Sequence, residues 1–150
     1  MRRLKRKYEK PLRPWDELRL EKEKEIMKNY GLKNKRELWR AAAILKKFRR
    51  LARELIANKD EKKEKILLDK LIKIGVLTEG ATIDDVLDLT VENFLERRLQ
   101  TIVFKKGLAK SIYHARQMIV HGHVAIENRK VVYPSYVVPL EEENKISVIG

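Results

Sequence analysis

Over residues 97–138 the apolar residues fall twice at helical spacing and then switch to alternation, with a glycine at each break. Leu95, Leu99, Ile102 and Val103 recur at i, i+4, i+7 and i+8, which predicts a helix over about 91–106 with Thr90 as its cap. Gly107 stands where a left-handed C′ residue is wanted. Ser111 is placed to cap a second helix, 112 to about 121, with Ile112, Ala115 and Ile119 facing inward. Gly122 ends it. From His123 the period is two: Val124 and Ile126 alternate with His123 and Ala125. Residues 127–130 read as a polar turn, Val131-Val132 resumes the strand, and 136–138 and 146–149 read as further short strands. Strands this short need the helices laid across their apolar face. The expected class is therefore α+β, a helical N-terminal region followed by a compact unit of two helices and a small sheet.

The same stretch limits the chemistry. No residues in it are arranged for covalent catalysis. His114, Gln117 and His121 line a polar face of the second helix with Arg116 beside them, and Arg98, Thr101 and Lys105 line a face of the first beside Arg97. His114, His121 and His123 have no cysteine or converging carboxylate to complete a metal site. They read either as helix-end groups bonded to carbonyls or as direct contacts to a polyanion. Short helices set cations and amides on a rigid surface, the helix N-terminus at Ser111 offers free N–H groups to a phosphate, and the two glycines let backbone approach closely. Such a surface suits the shape and phosphate positions of folded RNA.

The rest of the chain agrees in charge. It carries 35 Lys and Arg against 22 Asp and Glu, a formal net charge of +13. Such an excess predicts polyanion partners. Residues 1–59 hold 21 basic and 8 acidic residues, 60–96 hold 5 and 10, and 97–150 hold 9 and 4, so two basic blocks flank an acidic connector. The connector, with Asp84, Asp85 and Asp88, is expected to face solvent or protein. There is no cysteine, which excludes disulfides and thiol chemistry. No apolar run is long enough to span a bilayer, and the basic start has no apolar stretch after it, so no secretory signal is read and a cytoplasmic location is expected.

Before residue 97 the reading is helical. Residues 1–14 form an extended basic arm broken by Pro11 and Pro14. A charged helix spans 16–30 and ends at Gly31. Asn34 caps a long helix to about 58, with Leu38, Ala42, Leu45, Phe48, Leu51 and Leu55 as its apolar stripe. Further helices are read over 61–74, stopped at Gly75, and just after Thr82. Two units are expected, 1–93 and 94–150.

At these residues a resemblance enters. Leu99-Gln100-Thr101, Gly107-Leu108-Ala109, Ala115-Arg116-Gln117, His121-Gly122-His123 and Pro134-Ser135-Tyr136 stand in the order seen in the family of small-ribosomal-subunit protein number four. The RNA-binding unit of that family recurs in pseudouridine synthases, tyrosyl-tRNA synthetases and a heat-shock ribosome-rescue protein. The stretch Tyr30-Gly31-Leu32-Lys33-Asn34-Lys35-Arg36-Glu37-Leu38-Trp39-Arg40 resembles the archaeal and eukaryotic branch of the ribosomal family. Tyr8-Glu9-Lys10-Pro11 with Pro14-Trp15, and Leu68-Asp69-Lys70-Leu71 followed by Gly75-Val76-Leu77, fit the same branch. Two features depart from it: Asn128-Arg129 stands where a hairpin glycine is usual, and the sequence ends at Gly150 without the charged tail of many relatives, so contacts made by such a tail are not expected.

The resemblance implies a non-enzymatic, primary RNA-binding constituent of the small ribosomal subunit. It would bind the 5′ domain of small-subunit ribosomal RNA at a multi-helix junction early in assembly and affect decoding accuracy. Implied neighbours are small-subunit proteins, including protein number five, and messenger RNA where it enters the subunit; no cofactor, membrane contact or self-association is expected. The RNA surface is expected at Arg97, Arg98, Gln100, Thr101, Lys105, Lys106, Lys110, Ser111, His114, Arg116, Gln117, His121, His123, Arg129 and Lys130. A second surface is expected at Arg36, Arg40, Lys46, Lys47, Arg49, Arg50 and Arg53, with the arm adding Arg2, Arg3, Lys5, Arg6 and Lys7. An RNA-modifying enzyme anchored by this unit and a free-standing RNA chaperone or rescue factor are the alternatives. The first would need a catalytic scaffold that residues 1–93 do not resemble; the second differs in washing off small subunits in high salt.

Overall fold

The computed structural model describes residues 7–149. Helix α1 is Glu17–Asn29; the Asp16 carboxylate caps it by accepting from the Arg19 N–H at 3.3 Å. The chain then turns at Gly31 into α2, Lys35–Asn58. Asn34 takes the cap position of α2, but its side chain makes no cap hydrogen bond. The buried residues of α2 are Leu38, Ala41, Leu45, Phe48 and Ala52. The inward stripe is thus rotated from the expected one, with Ala41 and Ala52 inside instead of Ala42 and Leu51. A 3-4-3-4 ladder through small residues brings the neighbouring helices close to the α2 backbone.

Helix α3, Glu61–Ile74, begins at Asp60, which accepts from the Lys63 N–H, and stops at Gly75. Helices α4, Ile83–Asp88, and α5, Val91–Glu96, each open with a reciprocal capping box, Thr82 with Asp85 and Thr90 with Asn93. Leu45, Phe48, Ala52, Leu67, Leu71, Val86, Leu89 and Phe94 form the core beneath them, where the Phe48 and Phe94 rings stack 5.7 Å apart.

The expected continuous helix over 91–106 is broken. Helix α5 ends at Glu96, Arg98 is extended, and α6 runs Leu99–Lys105. The cause is a backbone pairing with the chain forty residues on. The Leu99 N–H donates to the Tyr136 carbonyl at 2.7 Å, the Val138 N–H donates to the Arg97 carbonyl at 2.9 Å, and Arg98 bridges Val137. Tertiary pairing overrides helix propensity here. After the break every residue from Leu99 to Val103 is buried, so Arg98 and Thr101 face inward, contrary to the sequence reading.

Helix α7 is Ile112–Val120, with Ile112, Ala115 and Ile119 buried as the spacing requires. The sheet has the order β2-β1-β3, with β1 Val124–Ile126, β2 Arg129–Lys130 and β3 Ile146–Val148, both pairings antiparallel. The hairpin turn is only Glu127-Asn128, and Glu127, not Asn128, takes the positive φ. Val131-Val132 does not continue β2, although the Val131 N–H still donates to Val124 at 3.1 Å. Residues 136–138 contribute the single bridge rather than a strand, and a short helix α8, Leu140–Glu143, precedes β3. Leu99, Ile102 and Val103 of α6 and Ala115 and Ile119 of α7 close over Val124, Ile126 and Ile146.

Two polar joints and an apolar cluster are among the contacts that connect this unit to the helical region. Leu32, Leu38 and Ala41 pack on Leu95. The Gln100 amide donates to the carbonyls of Gly31 (3.0 Å) and Ile112 (3.1 Å). Glu37 of α2 accepts from Arg98 at 2.7 Å and from both terminal nitrogens of Arg116 at 2.8 and 3.1 Å. Burial pushes the Glu37 carboxyl up, but the hydrogen bonds and charges of Arg116 and Arg98 outweigh it and hold the group below the ordinary glutamate value. Burial, with Arg116 close by, pulls the Arg98 guanidinium down, and the shared Glu37 carboxylate offsets this only in part.

Two outcomes are expected. A Cβ at Gly31 would lie 2.8 Å from both the Gln100 amide nitrogen and Ile112 at a φ of +57°, whereas at Gly107, φ +71°, it would meet nothing within 4 Å. In denaturant melts Gly107→Ala should therefore lose only the left-handed strain, about 1 kcal/mol, and Gly31→Ala about 2–4 kcal/mol, because overpacking adds to it. Glu37→Gln should cost about 2–3 kcal/mol at neutral pH. Because the folded pKa of Glu37 is depressed, its contribution is complete above 4.5 and is lost as pH falls through the lower folded value. The stability difference between Glu37→Gln and the parent chain should therefore shrink in acid, and a difference that stays constant down the acid limb would refute the ionic joint.

Candidate nucleic-acid interface

The α7 region brings together most of the polar groups expected of it. The Ser111 hydroxyl caps the helix by accepting from the His114 N–H at 3.1 Å, and the Lys110 N–H donates to Nδ1 of His114 at 3.3 Å. A neutral His114 therefore carries its proton on Nε2, as a donor. His114, Gln117, Met118, His121 and His123 line a recess of about 220 Å³. Gly122 makes the corner that carries His123 back beside His121, with the two rings 6.5 Å apart and 21° from parallel. Gln117, His121, His123 and Lys110 are exposed, as are Arg129 and Lys130 on β2. Lys105 is exposed with a loose ion pair to Glu96 at 3.4 Å, and Lys106 is exposed with its ammonium on the Glu143 carbonyl.

Five expected surface residues are committed elsewhere. Gln100 (0% exposed) and Thr101 (3%) are buried, Thr101 donating to the Leu95 carbonyl at 2.8 Å. Arg98, 6% exposed, is held by Glu37. Arg97 donates to Glu143 at 2.7 Å and to the Val138 carbonyl at 2.9 Å, tying α8 and the 138 segment to the chain break. Arg116 keeps 22% of its side chain exposed but forks onto Glu37 and reaches Gln100 at 3.4 Å. These residues build the surface from beneath instead of forming it. The physical reason is the break at Arg98, which turned the first polar face inward, and the acid that α2 supplies to meet it.

The second surface divides the same way. Arg36, Arg40, Lys47 and Arg53 are exposed, and Arg50 is exposed with a loose pair to Glu54 at 3.5 Å. Arg49 instead donates to the Leu89 carbonyl at 2.7 Å, locking α2 to the end of α4. Lys46 pairs with Glu9 at 2.6 Å; that hydrogen bond, with the lysine charge, holds the Glu9 carboxyl below its ordinary value. Lys7 is exposed. Arg2, Arg3, Lys5 and Arg6 lie outside the described residues. The acids that organise the site, Glu37 and Glu143, were not anticipated. One sign of Glu37 is present in the sequence: it is the only acid in residues 26–53, among ten basic residues. Among the described residues no group of three His, Asp or Glu is placed to hold a metal ion, and no helix is long and apolar enough to cross a membrane.

Two family models match the chain. Residues 2–96 match the family model of the ribosomal protein S4/S9 N-terminal domain, and residues 97–144 match that of the S4 domain. A small ribosomal subunit protein uS4 of Ignicoccus hospitalis is 53% identical over 148 residues, covering 97% of this chain and 89% of its own. The protein of the same name from Korarchaeum cryptofilum is 50% identical over 151 residues, covering 99% and 91%, and that of Hyperthermus butylicus is 54% identical over 144 residues, covering 94% and 82%. With two family models matched over residues 2–96 and 97–144 and about half of the residues shared along nearly the whole length, the chain belongs to the uS4 family of small-ribosomal-subunit proteins.

Proposed function

We propose that this chain is a structural, non-catalytic constituent of the small ribosomal subunit that binds small-subunit ribosomal RNA. The observation that carries the reading is the set of polar side chains on and flanking α7 and on β2. Lys110, Gln117, His121, His123, Arg129 and Lys130 are exposed and His114 is half-buried, and the one arginine of α7, Arg116, is tied down on Glu37. A surface pre-organised in this way places donors and positive charge at fixed spacings, which suits the phosphates and grooves of folded RNA. Arg36, Arg40, Lys47, Arg50 and Arg53 on α2 supply a second set, so the two units, 1–93 and 94–150, would grip the RNA together. The family resemblance supports the finer reading: binding at a multi-helix junction of the 5′ domain, early action in assembly and an effect on decoding accuracy. It likewise supports contacts with protein number five and with messenger RNA where it enters.

A salt series tests this. Binding to the 5′ domain of small-subunit ribosomal RNA should be tighter than to a structured RNA of equal length and should survive moderate salt. Lys110→Ala or Lys130→Ala should lower the slope of log affinity against log salt by about one unit with little change in stability. Arg116→Ala should instead act mainly through the fold, lowering the melting temperature. Equal affinity for both RNAs, collapsing together as salt rises, would leave only a general polyanion binder.

A further inference from the structure

Tryptophan has the most apolar surface to gain from burial, yet Trp15 is 89% exposed, with Leu12 at 100% and Leu18 at 72% close by in sequence. The segment that displays it is tied down. Nη2 of Arg19 donates to the carbonyls of both Arg13 (2.8 Å) and Pro14 (3.0 Å), and Nη1 donates to Glu23 at 2.7 Å. Glu23 is itself fixed by the Trp39 indole N–H at 3.2 Å and by an ion pair with Lys35 at 3.0 Å. Upstream, the Tyr8 ring lies 6.0 Å from that of Trp39, and Glu9 pairs with Lys46 on α2. A stretch with no regular structure is thus anchored on both sides of Trp15 while the indole stays outside. The other tryptophan, Trp39, serves as an internal anchor, so the contrast is not one of residue type.

The surroundings select what could cover the indole. Residues 1–15 contain seven basic residues and one acid, Glu9, which is committed to Lys46. The next acids have local roles: Asp16 caps α1, and Glu17 lies in its first turn, where it complements the positive end of the helix dipole. An apolar protein segment or a lipid tail would gain nothing from that positive excess. A nucleotide uses both features, with its base on the ring and its phosphates on the flanking cations.

We propose that Trp15 is a stacking platform for an unpaired RNA base, with Lys10 and Arg13 on the adjoining phosphates. The proposal rests on the RNA-binding reading above but is separable from it. The full chain would be titrated with 5′-domain small-subunit ribosomal RNA and, in parallel, with inorganic polyphosphate, following tryptophan emission and affinity. The RNA should quench emission, and that quenching should vanish in Trp15→Phe, which retains Trp39. Polyphosphate should quench little. Trp15→Ala should weaken RNA binding roughly 5- to 100-fold with the salt slope and melting temperature unchanged, while Trp15→Phe stays within roughly threefold of the parent. Unaltered RNA affinity in Trp15→Ala together with unquenched emission would overturn the stacking site and leave the RNA reading intact. Equal quenching by polyphosphate would overturn it in favour of a purely ionic contact. Shielding of Trp15 only within assembled small subunits would overturn it in favour of a protein neighbour. Failure of the parent chain to bind the RNA at all would remove the functional reading itself.

Discussion

One carboxylate, Glu37, sits between guanidiniums that lie 61 and 79 residues further along the chain. Two cations drawn out of water around a single anion are an expensive arrangement unless every remaining group is satisfied. Gln100 meets part of that need. Its oxygen accepts from Arg116 while its amide holds the Gly31 and Ile112 carbonyls, so one buried side chain links the ion cluster to the α1–α2 turn and to the start of α7. Without the carboxylate, Arg98 and Arg116 would face each other across a partly desolvated gap. The set of the sheet-bearing unit on the helical region depends on this geometry together with the apolar cluster of Leu32, Leu38, Ala41 and Leu95, against which Ile26, Met27, Tyr30 and Val91 pack.

A chain with this much positive charge must decide which cations hold the fold and which meet the outside. Every arginine withdrawn from the surface has found an acid or a main-chain carbonyl: Arg98 and Arg116 on Glu37, Arg97 on Glu143 and Val138, Arg49 on Leu89, Arg19 on Glu23 and the 13–14 carbonyls. Several of the lysines, by contrast, remain exposed. The split follows from the side chains. A planar fork can bridge two acceptors through its terminal nitrogens even where Nε is left buried without a partner, as in Arg49, Arg97 and Arg98, whereas an ammonium is strongly hydrated and better left in water. Basic density along a sequence therefore overcounts the groups free to meet a polyanion, and arginine is where the overcount falls.

Local structure was legible in the sequence wherever local chemistry decides it. Asp16, Asp60, Thr82, Thr90 and Ser111 all begin helices, and Gly75, Gly107 and Gly122 all follow helix ends. The inward residues of α7 followed from spacing alone. The helix break at 97–98 was not legible, because nothing within a few residues of Arg98 opposes a helix; the competing partner is the 134–138 backbone. The same distant pairing explains why 136–138 is no strand: it has a single bridge to make, and Pro134 offers no N–H to extend a ladder. In α2 the stripe was misphased by favouring leucine over alanine at 51 and 52, although a close helix contact wants the smaller side chain inside.

The candidate site shows the same limit in another form. Its exposed members on α7 and β2 were readable because a short amphipathic helix fixes which side is outside. Arg98 and Thr101 on the expected polar face of 97–105 were not, since their orientation depends on the break, whereas Lys105 stays exposed. The consequence reaches past bookkeeping of residues. Gln100, Thr101 and Arg116 stand in the motifs that carry the family resemblance, and Arg98 directly precedes one, yet their side chains bond to protein atoms in the free chain. Their constraint is satisfied within the fold: they hold α6, α7 and α2 in one arrangement. Through that arrangement they fix where Lys110, His114, Gln117 and His123 stand. A binding motif in such a unit is best understood as a frame with its contacts displaced by a few positions, the rigid polar interior lowering the entropy that ordering the surface on RNA would otherwise cost.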